Sequence, residues 1–134
     1  MNFASIRIVT ADLKRLVGFY EQLTGLTAAW QNDDFAELVT HRGIIAFTHQ
    51  RTMKALGDAL VAGQNRSVII ELLDDDVDAT FQRASAFAKD VLQPPTTMPW
   101  GNRSLLMRDP DGNLLNFFTP VTDAAKQRAA RRPA

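Results

Sequence analysis

The feature that most restricts how this chain can fold is a pattern written twice along it. "FASIRIVT" alternates as a half-buried strand does, with Ala4, Ile6 and Ile8 on one face and Phe3, Ser5, Arg7 and Val9 on the other. Asp12 stands where an N-cap belongs, and Leu13, Leu16, Val17, Tyr20 and Leu23 recur at helical spacing until Gly25, a left-handed stop. "TAAWQN", "FAELVT" and "GIIAFTH" read as three short strands parted by the turn residues "DD" and "HRG". The second half repeats this order. "RSVIIELL" is a β-branched strand, and "DDDVDATFQRASAFAKD" opens on acidic capping residues, with Val77, Thr80, Phe81, Ala84 and Phe87 at helical spacing. A short strand near Val91 to Gln93 follows, then "NRSLLMR" and "NLLNFFT" on either side of the turn "DPDG". Registering Asp12-Leu13 on Asp76-Val77 lays strand on strand and helix on helix, a repeat of pattern rather than of letters.

The spacing therefore predicts an α+β fold of two tandem βαβββ modules. A helix covers one face of each module, and the bare faces form a curved sheet with a concave pocket. Residues 1–120 read as a single domain, with module one at 3–49, a connector at 50–65 and module two at 66–120. The connector has a helical turn around Met53, Leu56 and Leu60. Residues 121–134, alanine-rich and basic with few apolar side chains, read as a flexible basic tail. Apolar residues make up 46% of the 134, enough for a core without staples. The formal net charge of +0 argues against nucleic acid or an anionic membrane as partner. The lack of cysteine excludes thiol nucleophiles, disulfides and thiolate metal sites. No signal peptide or membrane-spanning run is legible, so the expected location is the cytoplasm.

Three stretches carry a family resemblance: "VTADLKRLVGFYEQLTGL", its counterpart "DDDVDATFQRA", and "PWGNRSLLMRDPDGNLLNFF" close to the C-terminus. With these the chain resembles the vicinal oxygen chelate superfamily, which includes glyoxalase I, extradiol dioxygenases, fosfomycin-resistance enzymes and bleomycin-resistance proteins. The resemblance spans residues 3–120 and implies two βαβββ modules, commonly in a homodimer, with a pocket lined by inward strand faces. In metal-dependent members, imidazole, amide or carboxylate side chains at four strand positions chelate a divalent ion and leave sites for two substrate oxygens. Here the match on the first strand is Ser5. On the first strand of module two it is Ser67 or Val68, on the fourth strand of module one it is near Ala46, and on the last strand it is Asn116, where the metal enzymes place glutamate. None is a strong ligand for a hard cation, so neither metal nor other cofactor is expected.

Other residues remain as candidates. His49 ends the fourth strand and is a weak candidate for a general base, while His41, in "THRG", reads as a surface histidine. Glu71 is the other weak catalytic candidate. A structural pair with Arg7 is the competing reading, because a buried carboxylate needs a partner. Glu37 reads as solvent-facing. Trp30, Phe35, Phe47, Trp100 and Phe118 come from strands and loops that flank the cavity in the resembling fold, and each is equally suited to the core. Arg103 has the geometry for bidentate bonds to a ligand oxygen, or for a surface salt bridge. The reading is a metal-free small-molecule binding protein, similar to the bleomycin-resistance branch, whose ligand is planar and partly aromatic. Its expected contacts are Ser5, Arg7, Trp30, Phe35, Phe47, Ser67, Trp100, Arg103, Asn116 and Phe118. The alternatives are a lyase, isomerase or dioxygenase of the same superfamily, and, with least support, a partner-binding module.

Overall fold

The computed structural model describes residues 1–131. Its contacts divide into two compact units, Met1–Asn65 with Pro110–Gly112, and Arg66–Asp109 with Asn113 onward. Unit one holds β1 (Ser5–Thr10), α1 (Leu13–Thr24), β2 (Ala29–Asn32), β3 (Phe35–Val39) and β4 (Ile44–His49). Unit two holds β5 (Ile69–Leu73), α2 (Val77–Ala84), β6 (Val91–Thr97), β7 (Asn102–Arg108), β8 (Leu114–Pro120) and α3 (Asp123–Ala130). The predicted βαβββ repeat is thus present, and hydrogen bonding joins its strands into two four-stranded sheets, ordered β1-β4-β3-β2 and β5-β8-β7-β6. In each unit the first strand runs parallel to the last, and the other neighbours are antiparallel.

The helices start and stop for the reasons written in the sequence. Asp12 accepts from the Arg15 N–H at 3.3 Å and Asp76 from the Ala79 N–H at 3.1 Å, each satisfying a donor that the first turn leaves open. Gly25, at φ 73°, ends α1 by donating its N–H to the Glu21 carbonyl at 2.9 Å. The acidic run before α2 serves as capping. Asp74 accepts from the Asp76 N–H at 3.0 Å and takes a short hydrogen bond from the Thr80 hydroxyl, while Thr119 on β8 accepts from the Val77 N–H at 3.0 Å.

α1 buries Leu13, Leu16, Val17, Phe19, Tyr20 and Leu23, and the Tyr20 ring lies 5.0 Å from that of Phe47 on β4. Phe47 therefore marks the helix-covered face of the first sheet, together with its row partners Ile8 and Ala36. Burial of each large apolar side chain there stabilises the unit by about 1.5–3 kcal/mol. In unit two, α2 buries Val77, Thr80 and Ala84, and Leu105, Met107, Leu115 and Phe117 are buried in the strands.

Two segments differ from their sequence reading, the start of β1 and the C-terminal tail, while the helical turn expected in the connector is present. β1 begins at Ser5 rather than at residue 3, leaving Phe3 exposed. The connector carries a 3-10 helix over Gln50–Ala59, interrupted by Gly57 at φ 58°. The segment read as a flexible tail contains α3, capped by the Thr122 hydroxyl at 3.2 Å from the Ala125 N–H and seated through buried Ala125. Its last residues, 132–134, lie outside the described residues. α3 holds its place because the turn before β7 grips its start. Gly101, at φ 93°, accepts from the N–H groups of Val121 and Thr122 at 2.9 and 3.3 Å, and the Arg128 guanidinium bonds the Trp100 carbonyl.

Candidate functional site

Each sheet has a face turned away from its first helix, and pleating determines which residues stand on it. In unit one that inner face carries Ser5, Arg7 and Val9 from β1, Ala46 and Thr48 from β4, and Phe35 and Glu37 from β3, because these register with one another and alternate with the α1-facing set. Its central row is Arg7, Ala46, Glu37. The Arg7 guanidinium carbon sits 5.2 Å from the centre of the Phe35 ring, a cation-π contact. Glu37, read from sequence as facing solvent, is half-buried on this face and accepts from the Gln31 amide at 2.8 Å. Simple alternation with Leu38 was the available signal for Glu37, and it was compatible with either surroundings.

In unit two the inner face carries Ile69, Glu71 and Leu73 from β5, Leu114, Asn116 and Phe118 from β8, and Ser104 and Leu106 from β7. The row equivalent to Arg7, Ala46, Glu37 is Glu71, Asn116, Leu106. Asn116 donates its amide N–H to Glu71 Oε2 at 2.8 Å. Its carbonyl Oδ1 is buried with no hydrogen-bond partner, as is the hydroxyl of Ser104, which is only 4% exposed. At the far end Leu73, Asn102 and Phe118 line a hollow of about 80 Å³ closed by Ala125, Arg128 and Ala129 of α3.

This geometry corrects several sequence-based placements. Within its own unit Arg7 finds Phe35, and Glu71 finds Asn116. Arg103 lies on the α2-facing side, in a bidentate salt bridge to Asp78 at 2.8 Å for both bonds. That hydrogen bonding raises the Arg103 pKa and lowers that of Asp78. Phe47 is fully buried against α1 instead of lining a cavity, and Trp30 registers with Ala36 on the same helix-facing side. Trp100 is 55% exposed on the turn before β7. Of the aromatic set, Phe35 and Phe118 stand on inner faces. Ser67 sits in an exposed bend outside β5, so the β5 residue that matches Ser5 in register is Ile69. His49 shares the row of Thr10, and its Nδ1 accepts from the Arg51 N–H at 3.1 Å, which caps the 3-10 helix.

These residues do not suit a divalent ion. Unit one offers Ser5 and Ala46 at these positions and unit two Ile69 and Asn116; Ala46 and Ile69 have no donor atom, and the Glu71 carboxylate beside Asn116 already accepts its amide N–H. No group of three or more acidic or histidine side chains comes together in a way that would hold a metal ion among the described residues. Among these residues, too, no helix is long and apolar enough to cross a membrane.

Two tandem βαβββ units, each a four-stranded sheet with its first helix on one face, define a class, and the sequence agrees with it. A model of the Glyoxalase/Bleomycin resistance protein/Dioxygenase superfamily matches residues 2–117, and the chain belongs to that family. No curated protein matches the sequence. Solved structures share the fold. One is a glyoxalase/bleomycin resistance protein/dioxygenase from Nocardioides, 22% identical, with a TM-score of 0.73 over 92% of this chain and 85% of that one. A family enzyme from Burkholderia phytofirmans is 17% identical, with a TM-score of 0.77 over 90% and 100%. A glyoxalase-related enzyme from Fulvimarina pelagi is 17% identical, with a TM-score of 0.76 over 89% and 88%.

Proposed function

We propose that this protein binds a small, planar, partly aromatic molecule on its inner sheet faces without the help of a metal, as a cytoplasmic homodimer. The observation that carries the reading is the donor set. Positions where a chelating member needs anionic or imidazole ligands hold Ser5, Ala46, Ile69 and Asn116. What remains on those faces suits an organic ligand: the Arg7 and Phe35 stack in unit one, and Phe118 beside polar Asn116 and Ser104 in unit two.

Isothermal titration of the purified protein with nickel and manganese, beside a thermal-shift screen of planar aromatic compounds, tests this. The expected result is no saturable metal binding and a raised melting temperature with at least one compound. Stoichiometric metal binding overturns it. Asn116→Glu alone is expected to leave the metal titration flat, since the other positions still lack ligands. Catalysis is the second reading, favoured by the one carboxylate of the central row in unit two, Glu71, which Asn116 orients. Under it, Glu71→Gln abolishes turnover while ligand affinity persists.

A further inference from the structure

We propose that the inner face of unit two recognises an organic cation bearing N–H donors, an amine, amidine or guanidinium on an apolar body, at Glu71 and Asn116. The inference rests on the reading that this face is a ligand site. A carboxylate only accepts hydrogen bonds, so Glu71 forces the Asn116 amide to turn its N–H toward it and its carbonyl away. The pair therefore sets two acceptors side by side, the carboxylate of exposed Glu71 and the carbonyl Oδ1 of Asn116, an atom buried in the free protein that a ligand reaches by a turn of the side chain. The Asn116 Oδ1 has no protein partner, and on the same face the nine-tenths-buried Ser104 also leaves its hydroxyl unmatched. Buried polar atoms are nearly always paired, so two orphans on one face point to a polar group arriving from outside the chain.

The sign of that group follows from the charges. Among the described residues no cation of this unit pairs with Glu71, and Arg103 and Arg108 are engaged with Asp78 and Asp90 on other carboxylates. An anion meets an uncompensated carboxylate here, whereas a forked N–H cation places one arm on Glu71 and the other on the amide carbonyl. Ile69 and Leu73 flank Glu71 on the same face and are 52% and 43% exposed, and Leu106 and Leu114 are half-buried beside Asn116. They supply apolar surface for the body of the ligand.

Titrating the full chain with benzamidine, benzamide and benzoate, three near-isosteres that differ in charge, tests the proposal. Benzamidine is expected to bind about tenfold tighter than benzamide, the size of one charge-assisted hydrogen bond, and benzoate weakest. Glu71→Gln should abolish the preference for benzamidine, and Asn116→Ala should reduce it, with circular dichroism unchanged in both. Equal binding of benzamidine and benzamide, or a preference that survives Glu71→Gln, overturns the proposal and leaves the ligand-site reading standing. If none of the three binds saturably, both fall. The wild-type series decides the question even if neither variant folds.

Discussion

The two units share their architecture and register, yet their central inner rows have nothing in common. Unit one presents Arg7, Ala46 and Glu37, and unit two presents Glu71, Asn116 and Leu106 at the corresponding places. The capping aspartates and the helix-facing apolar rows, by contrast, recur in both. The shared architecture thus follows what the helix covers and how its ends are satisfied, and it accommodates two different inner rows. At the β1 and β5 places of that row arginine is replaced by glutamate, so a row that carries one charge of each sign in unit one carries a single negative charge in unit two. Unit two also carries α3, which closes the end of its inner face at Phe118, while unit one has only the 3-10 connector after β4.

The contrast between helix-covered and inner faces is open to direct attack. Phe47→Ala removes a ring packed against Tyr20 on the covered face and is expected to cost about 3–5 kcal/mol by urea denaturation. Lost ligand binding at unchanged stability would instead return Phe47 to the site. The next largest effect is expected where unit two departs from unit one. At Gly101 an added Cβ would lie 2.0 Å from the Thr122 hydroxyl, in a backbone conformation that L-residues avoid. Gly101→Ala should therefore cost about 2–4 kcal/mol and make α3 the first site of proteolysis. Gly43, with nothing within 4 Å of its added Cβ, is the control in unit one, where alanine should be tolerated.

The smallest effect concerns the exposed Arg103 and Asp78 pair. The folded-state pKa of Asp78 is lowered, chiefly by its hydrogen bonds to Arg103, so the pair stabilises the fold above the ordinary aspartate value of about 3.9. That contribution disappears as pH falls through the lower folded value. Acid titration of Arg103→Ala should accordingly show a shallower loss of stability below about pH 4 than the parent, the two curves converging once pH has fallen past the lowered Asp78 value. An unchanged acid profile would mean that the pair is unimportant in solution.

How far the sequence reached can be judged residue by residue. Asp12, Gly25 and Asp76 marked both helices because capping is local chemistry, decided within a turn of the chain. The βαβββ repeat and the closing "DPDG" turn were legible for the same reason, as was the lack of strong ligands at Ser5, Ala46 and Asn116. The register of β5 was not legible near Ser67, because an acidic loop separates the strand from the Asp76 cap, and strand pairing fixes it by aligning Glu71 with Asn116.

From the sequence alone, then, came the elements, their order, the family resemblance and the chemical poverty of the ligand positions, because each depends on neighbours along the chain. The tertiary structure alone decided which face each side chain occupies and which partner it finds. β4 is buried on both faces from Ile45 to Thr48, so alternation by itself does not place Phe47. Arg103 turns to Asp78 across 25 positions, and Asn116 to Glu71 across 45. Partners so far apart in sequence are chosen by the packing of the sheet, which no local pattern encodes.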